Sequence, residues 1–211
     1  IAGKHKGAGM LLYPAQVAEV LAPIAEYPEI QFSLKMRLGW ENASECMVLV
    51  ELLNTLRLSR IALHARTGKQ QYKGHPDLEA FQGFYELCQH PLYYNGGIES
   101  LSDIRQILIR FPLLKGVFIG RGLLSSPLLA KEFKGNETFL PEQRMSIYFA
   151  FHEELFSAYS QVLQGETQLL VKMKTLWEYF LPETDRKLLK RIKKSTRLQQ
   201  YTESVKAIFT S

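Results

Sequence analysis

The chain has 211 residues, 46% of them hydrophobic, enough for one large domain or two small ones. Its net charge is +5, and no run of about 18 uncharged apolar residues occurs, which excludes a membrane-spanning helix. The two cysteines, Cys46 and Cys88, form neither a CxxC pair nor a metal-ligand spacing. No disulfide framework, metal site or secretory leader is expected, and two buried thiols in a reduced, cytoplasmic protein are.

Ile1 to Gly9 reads as the middle of a loop, so the numbering is expected to begin inside a longer protein. Four apolar segments then end in polar residues or glycine: Phe32–Arg37, Arg60–Ala65, Pro91–Asn95 and Gly116–Ile119. Lys35, His64, Asn95 and Gly120 mark these ends at intervals of 29, 31 and 25 residues, one strand–helix unit each. The intervening helices are predicted over 43–57, 76–89 and 100–111, the last opened by a Ser100/Asp103 capping box. Strands and helices alternating at this pitch predict a parallel sheet. Four units are half of an eight-stranded barrel, whose open edges would leave it unstable as a lone monomer, so about four strands are expected upstream.

After Pro127 the pattern becomes helical, with segments over 141–163, 166–181, 183–195 and 198–209 punctuated by Gly165 and Pro182. The predicted fold is therefore α/β followed by all-α. Residues 1–134 are expected to form the C-terminal half of a TIM (β/α)8 barrel, and residues 135–211 a small helical bundle. Between Lys172 and Lys206 there are ten Lys or Arg against four acids, so the basic excess lies in the bundle. A polyanion such as RNA would account for it, as would a solvated helical face.

Residues i and i+2 of a strand share a face, so Lys35 pairs with Arg37 and His64 with Arg66, at the strand ends where barrel active sites form. Four cationic or hydrogen-bonding groups on one mouth suit an anionic, electron-accepting ligand. The alternative is that Lys35 and Arg37 merely pair with carboxylates. Asn95-Gly96-Gly97 and Gly120-Arg121-Gly122 end strands in exposed backbone backed by a helix start, a phosphate-binding arrangement, although Asn95 also reads as turn chemistry. Gln70, Gln71 and Tyr72 follow the His64 strand in a polar loop that reads equally as substrate contact or plain surface. Trp177, Tyr179 and Phe180 beside Lys172 and Lys174 could stack RNA bases or simply be core.

As a set these residues resemble the bacterial tRNA-dihydrouridine synthases. The likeness runs through Leu34-Lys35-Met36-Arg37-Leu38-Gly39-Trp40, Leu63-His64-Ala65-Arg66-Thr67-Gly68 with Gln71-Tyr72-Lys73-Gly74, Asn95-Gly96-Gly97-Ile98 and Ile119-Gly120-Arg121-Gly122. Lys6 to Leu12 resembles the loop after that family's catalytic cysteine, and Lys172–Phe180 its tail. The resemblance implies an FMN enzyme that reduces the 5,6 double bond of a D-loop uridine in tRNA, with NADPH as reductant. It implies that Lys35 and His64 contact the isoalloxazine and ribityl parts of FMN. Asn95, Gly96, Gly97, Gly120 and Arg121 would hold its phosphate, and Arg37 and Arg66 would lie near the flavin or the target base. Lys172, Lys174 and Arg191 would meet tRNA. Hydride would pass to C6 of the uracil and a proton to C5, from a cysteine expected upstream of Ile1, so this stretch alone is not expected to complete the reaction. Two other readings stand beside this one: an FMN barrel oxidoreductase of the dihydropyrimidine or dihydroorotate dehydrogenase kind, and a non-catalytic RNA-binding fragment.

Overall fold

In a computed structural model, which describes residues 5–210, the chain divides into two compact units, Ile1–Gly120 and Arg121–Ser211. The expected loop at the start lies partly outside the described residues. Within them, Gly7–Leu12 forms a 3-10 helix, followed by helix α1 (Pro14–Leu21).

Four strands build the first unit: β1 (Phe32–Gly39), β2 (Leu58–Thr67), β3 (Leu92–Asn95) and β4 (Gly116–Phe118). All pair in parallel in the order β1-β2-β3-β4. Each strand thus lies beside the next in sequence, the connectivity of a partial α/β barrel. Leu38, Ile61, Leu63, Ala65, Leu92 and Tyr94 fill the apolar face. Helices α3 (Leu78–Leu87) and α4 (Leu101–Arg110) follow β2 and β3. Phe81 of α3 meets Tyr94 edge-on at 4.9 Å and Phe111 at 5.0 Å, and burial pushes the Tyr94 phenol up to about 12. The Ser100/Asp103 capping box forms as predicted. The helix predicted over 43–57 is shorter: a 3-10 turn at Glu45–Leu49, then α2 (Val50–Thr55). Its start is displaced because the Glu45 carboxylate accepts from the amides of Trp40, Glu41 and Asn42, closing the loop after β1.

The second unit is helical: α5 (Arg121–Ser125), α6 (Leu129–Gly135), α7 (Pro141–Val162), α8 (Glu166–Leu176), α9 (Arg186–Lys194) and α10 (Leu198–Phe209). The division falls earlier than the expected 134/135 boundary because α5, α6 and their connection pack with the later helices. Leu128 joins the core of Tyr148, Met173, Trp177, Phe180 and Ile192, and Ser126 Oγ lies 2.7 Å from Tyr148 Oη. Glu132, only 2% exposed, is paired with Arg144 of α7, whose guanidinium also donates to Tyr148 Oη. A carboxylate so deeply buried is tolerable only with such a partner. Helix α8 ends at Leu176 rather than 181, because the chain turns there to bury Trp177 and Phe180, and Leu181 takes a left-handed conformation with φ 48°. Among the described residues, no helix is long and apolar enough to cross a membrane.

Candidate cofactor site and basic face

Strand pairing sets Arg37 beside His64, His64 beside Asn95, and Asn95 beside Phe118. One strand position earlier on the same face come Lys35, Ala62, Tyr93 and Gly116 in a second row. Neighbouring strands lie about 4.8 Å apart, so side chains in a row are within reach of one ligand. None of the four strands contains an acidic residue. The carboxylate pairing considered for Lys35 and Arg37 is therefore absent among the described residues, and the cations act on one another instead. Partial burial and Arg37 hold the Lys35 ammonium below the ordinary lysine range. Arg37 is lowered by partial burial, opposed by Tyr72 and reinforced by Arg66.

The two arginines have work of their own. Arg37 Nη1 donates to the carbonyls of Thr67 (2.8 Å) and Gln71 (3.0 Å), and its guanidinium lies 5.7 Å from the Tyr72 ring. Arg66, 4% exposed, donates from Nη2 to Gly74 O at 3.0 Å and from Nη1 to His64 Nε2 at 3.4 Å. Both thus clasp the loop between β2 and α3. With Nε2 accepting, the protonated nitrogen of His64 is Nδ1. Asn95 Nδ2 donates to Phe118 O at 2.8 Å, tying β3 to β4, so the turn-chemistry reading of Asn95 is replaced by an inter-strand tie.

Gly96 and Gly97 have φ of 134° and 62°, conformations that a side chain resists, and a Cβ on Gly96 would lie 3.1 Å from His64 Cδ2. Among the described residues nothing lies within 4 Å of the Gly120 Cβ position, so none of them requires a glycine there. At the start of α4, Asp103 N donates to Ser100 Oγ, and the Asp103 carboxylate accepts from the amides of Glu99 and Ser100, placing a negative charge at that helix start. Arg121, half-buried, opens the second unit as the first residue of α5.

A cleft of about 420 Å³ runs along β1, with Lys35, Arg37 and Met36 on one side and Ala8, Met10 and Val17 on the other. It brings Lys35 and Arg37 together, whereas His64, Arg66 and Asn95 lie on the sheet face outside it. Reading the sequence did not reveal Glu45, Gly39 or Gly68 as parts of this architecture. The amide of Gly68 donates to Gly39 O at 2.8 Å, and a Cβ on Gly68 would lie 2.1 Å from Trp40 Cε3. The two glycines in the Leu38-Gly39-Trp40 and Thr67-Gly68 runs were the available signal.

Cys46 is fully buried, with its thiol pushed up to about 12 by burial, and Cys88 is half-buried and also raised. Neither lies on the strands. Among the described residues, no group of three or more His, Cys, Asp or Glu is placed to hold a metal ion.

The sequence pattern of the Dihydrouridine synthase (Dus) family matches residues 1–210. The chain belongs to the Dus family. It is similar to a probable tRNA-dihydrouridine synthase of Aquifex aeolicus, 34% identical over 135 residues that cover 62% of this chain and 42% of the relative. The tRNA-dihydrouridine(16) synthase of Haemophilus ducreyi is 30% identical over 137 residues, 64% of this chain and 42% of the relative. Tested against FMN, the flavin cofactor implied by the Dus resemblance, the donor set fits: cations on strands that carry no acidic residue, a protonated imidazole nitrogen, and glycine backbone with open space for a phosphate. The chain spans about two fifths of the length of the relatives it matches.

On the second unit, Trp177 and Phe180 are buried at 2% and 1% exposure, so they are core rather than a stacking surface for bases. Tyr179 is exposed. Lys172 is exposed over the Tyr159 ring at 5.3 Å, Lys174 Nζ donates to Ser195 O at 2.8 Å, and Arg191 is exposed on α9.

Proposed function

We propose that this chain is the cofactor-holding and tRNA-facing part of a cytoplasmic tRNA-dihydrouridine synthase that reduces the 5,6 double bond of a D-loop uridine, using FMN and NADPH. The observation that carries the reading is the acid-free sheet face on which Lys35, Arg37, His64 and Asn95 stand in adjacent rows. FMN, when bound, supplies the hydride for C6 of the uracil. Lys35 would offer its ammonium to the negative charge of the reduced ring system. His64 offers Nδ1–H as a donor, its other nitrogen being set by Arg66. Asn95 commits its amide nitrogen to Phe118 O, and its carbonyl oxygen would be the atom to accept from the ligand. The backbone at Gly96, Gly97 and Gly120 holds the phosphate. Arg37 and Arg66 keep the loop of Gln71 and Tyr72 over the site. Cys46 and Cys88 lie off this face, so neither would give the proton to C5.

Lys35→Ala is expected to weaken FMN binding roughly ten- to a hundredfold, the worth of one charge-assisted hydrogen bond. Quenching of flavin fluorescence measures it, and wild-type affinity in the variant would remove Lys35 from the site. For the reaction, tRNA lacking dihydrouridine is incubated with protein carrying this chain, FMN and NADPH, and read by mass spectrometry. Turnover of a free dihydropyrimidine without modification of tRNA would favour the small-pyrimidine oxidoreductase instead.

A further inference from the structure

Gln70 lies in the loop that leads from β2 to α3, half-buried while Gln71 to His75 after it are exposed. Its side chain turns into the loop. Oε1 accepts from the amide of Thr67 at 3.3 Å, and Nε2 donates to the carbonyls of Lys73 at 2.9 Å and His75 at 2.8 Å. An N–H facing one end of the side-chain amide and two carbonyls facing the other fix which way it points. Both donors are spent on loop backbone, which leaves little of the group for a ligand. We propose that Gln70 is a positioning residue: it braces the loop from Thr67 to His75 in one shape and so keeps the Tyr72 ring as a wall of the cofactor site. This rests on the FMN site proposed above and adds to it a residue that touches no ligand.

The shape of the loop calls for a brace. Its backbone is exposed, and Tyr72 itself is 58% exposed, so apolar burial holds little of it. Gln71 takes a left-handed conformation with φ 54°, uncommon for a residue with a side chain. Such backbone persists only where its surroundings over-determine it. Main-chain bonds from Gln71 N to Gly68 O and from Lys73 N to Gln70 O close single turns, each local. Arg37 and Arg66 reach in from the strands and tie Thr67, Gln71 and Gly74 to the sheet. Gln70 does what neither arginine does. It joins the loop across itself, from Thr67 at the end of β2 to His75 at the far side.

The ring so held stands beside residues that face the ligand. Tyr72 lies 5.7 Å from the Arg37 guanidinium, and its ring centroid is 6.2 Å from that of His64. An aromatic face there suits a planar ligand. On a mobile loop the ring would have to be ordered at each binding event. On a braced loop that cost is met during folding, and more of the contact appears as affinity.

The test is FMN affinity of protein carrying this chain, from quenching of flavin fluorescence, in Gln70→Met, Tyr72→Ala and the double variant. Methionine keeps the length of the side chain and removes all three of its hydrogen bonds. Each single change is expected to weaken binding roughly three- to tenfold. The double variant should fall no more than about twofold below Tyr72→Ala, because the brace acts through the ring. Gln70→Glu keeps the acceptor for Thr67 N and loses both donors, so it should weaken binding at least as much as Gln70→Met. Hydrogen exchange at the amides of Gln71 and Lys73 should quicken in Gln70→Met, which reads the brace without the cofactor. Wild-type affinity in either Gln70 variant, losses that add in the double variant, or unchanged exchange overturns the proposal. No FMN binding by the wild-type protein would instead remove the cofactor reading, and the positioning role with it.

Discussion

Tyr201→Phe is expected to destabilise the helical unit by about 2–4 kcal/mol, because one hydroxyl serves two buried groups. Trp177 Nε1 donates to Tyr201 Oη at 3.0 Å, and Tyr201 Oη stands 2.7 Å from His152 Nε2. The indole can only donate, and a neutral His152 that accepts the phenol proton on Nε2 carries its own proton on Nδ1, facing Glu153 Oε1 at 3.1 Å. Removing the hydroxyl leaves an indole N–H and an imidazole nitrogen without partners in a core where Tyr201 is fully buried and His152 is 1% exposed. Urea unfolding followed by Trp177 fluorescence measures the loss, and a change below about 0.5 kcal/mol would show that the network does not form.

The same network makes the unit acid-sensitive. Burial lowers His152 below its ordinary 6.5, more than Glu153 raises it. The unfolded chain therefore binds the proton more readily, so stability from this residue is complete above pH 6.5 and is lost as pH falls through the lower, folded-state value. A protonated Nε2 would confront the phenol with a second donor and strand its proton. His152→Gln is expected to flatten the decline in urea midpoint between pH 7.5 and 5, and identical profiles would assign that decline to other groups.

Gly39→Ala has the other large effect. A Cβ at Gly39 would lie 1.9 Å from Asn42 O, a backbone atom in the loop pinned by Glu45. Neither side can yield cheaply, so the expected cost is at or above the top of the usual 1–3 kcal/mol for overpacking. Since Gly39 ends the strand that carries Lys35 and Arg37, FMN affinity should fall with it. Gly120→Ala is the contrast: with open space around it, stability should change by less than about 0.5 kcal/mol while FMN binding weakens. Unchanged FMN binding in Gly120→Ala would mean that the phosphate does not use that space.

The strands were legible because period-two alternation and a repeat of 25–31 residues are local signals, and Lys35, His64 and Asn95 fell on strands as read. What was hidden depends on atoms distant in sequence. Nothing near Glu45 announces that its carboxylate will gather three amides, and the predicted helix start moved accordingly. Trp177 and Phe180 have the composition of a stacking surface, but only the packed helices show that both face inward. Nothing near Lys174 announces that Ser195, 21 residues on, will accept from its ammonium.

Strands that carry cations and no acidic residue have a consequence for the lifetime of the protein. Lys35, Arg37 and Arg66 repel one another when the face is empty, and a bound polyanion relieves them, so occupancy and folding share one equilibrium. Free ligand at a hundredfold excess over its dissociation constant adds about 2.7 kcal/mol to the native state. Sulfate alone should raise the melting midpoint of the empty protein, more in wild type than in Lys35→Ala. With FMN as the proposed ligand, flavin scarcity would then be felt in a cell first as fewer intact molecules, cleared by proteolysis.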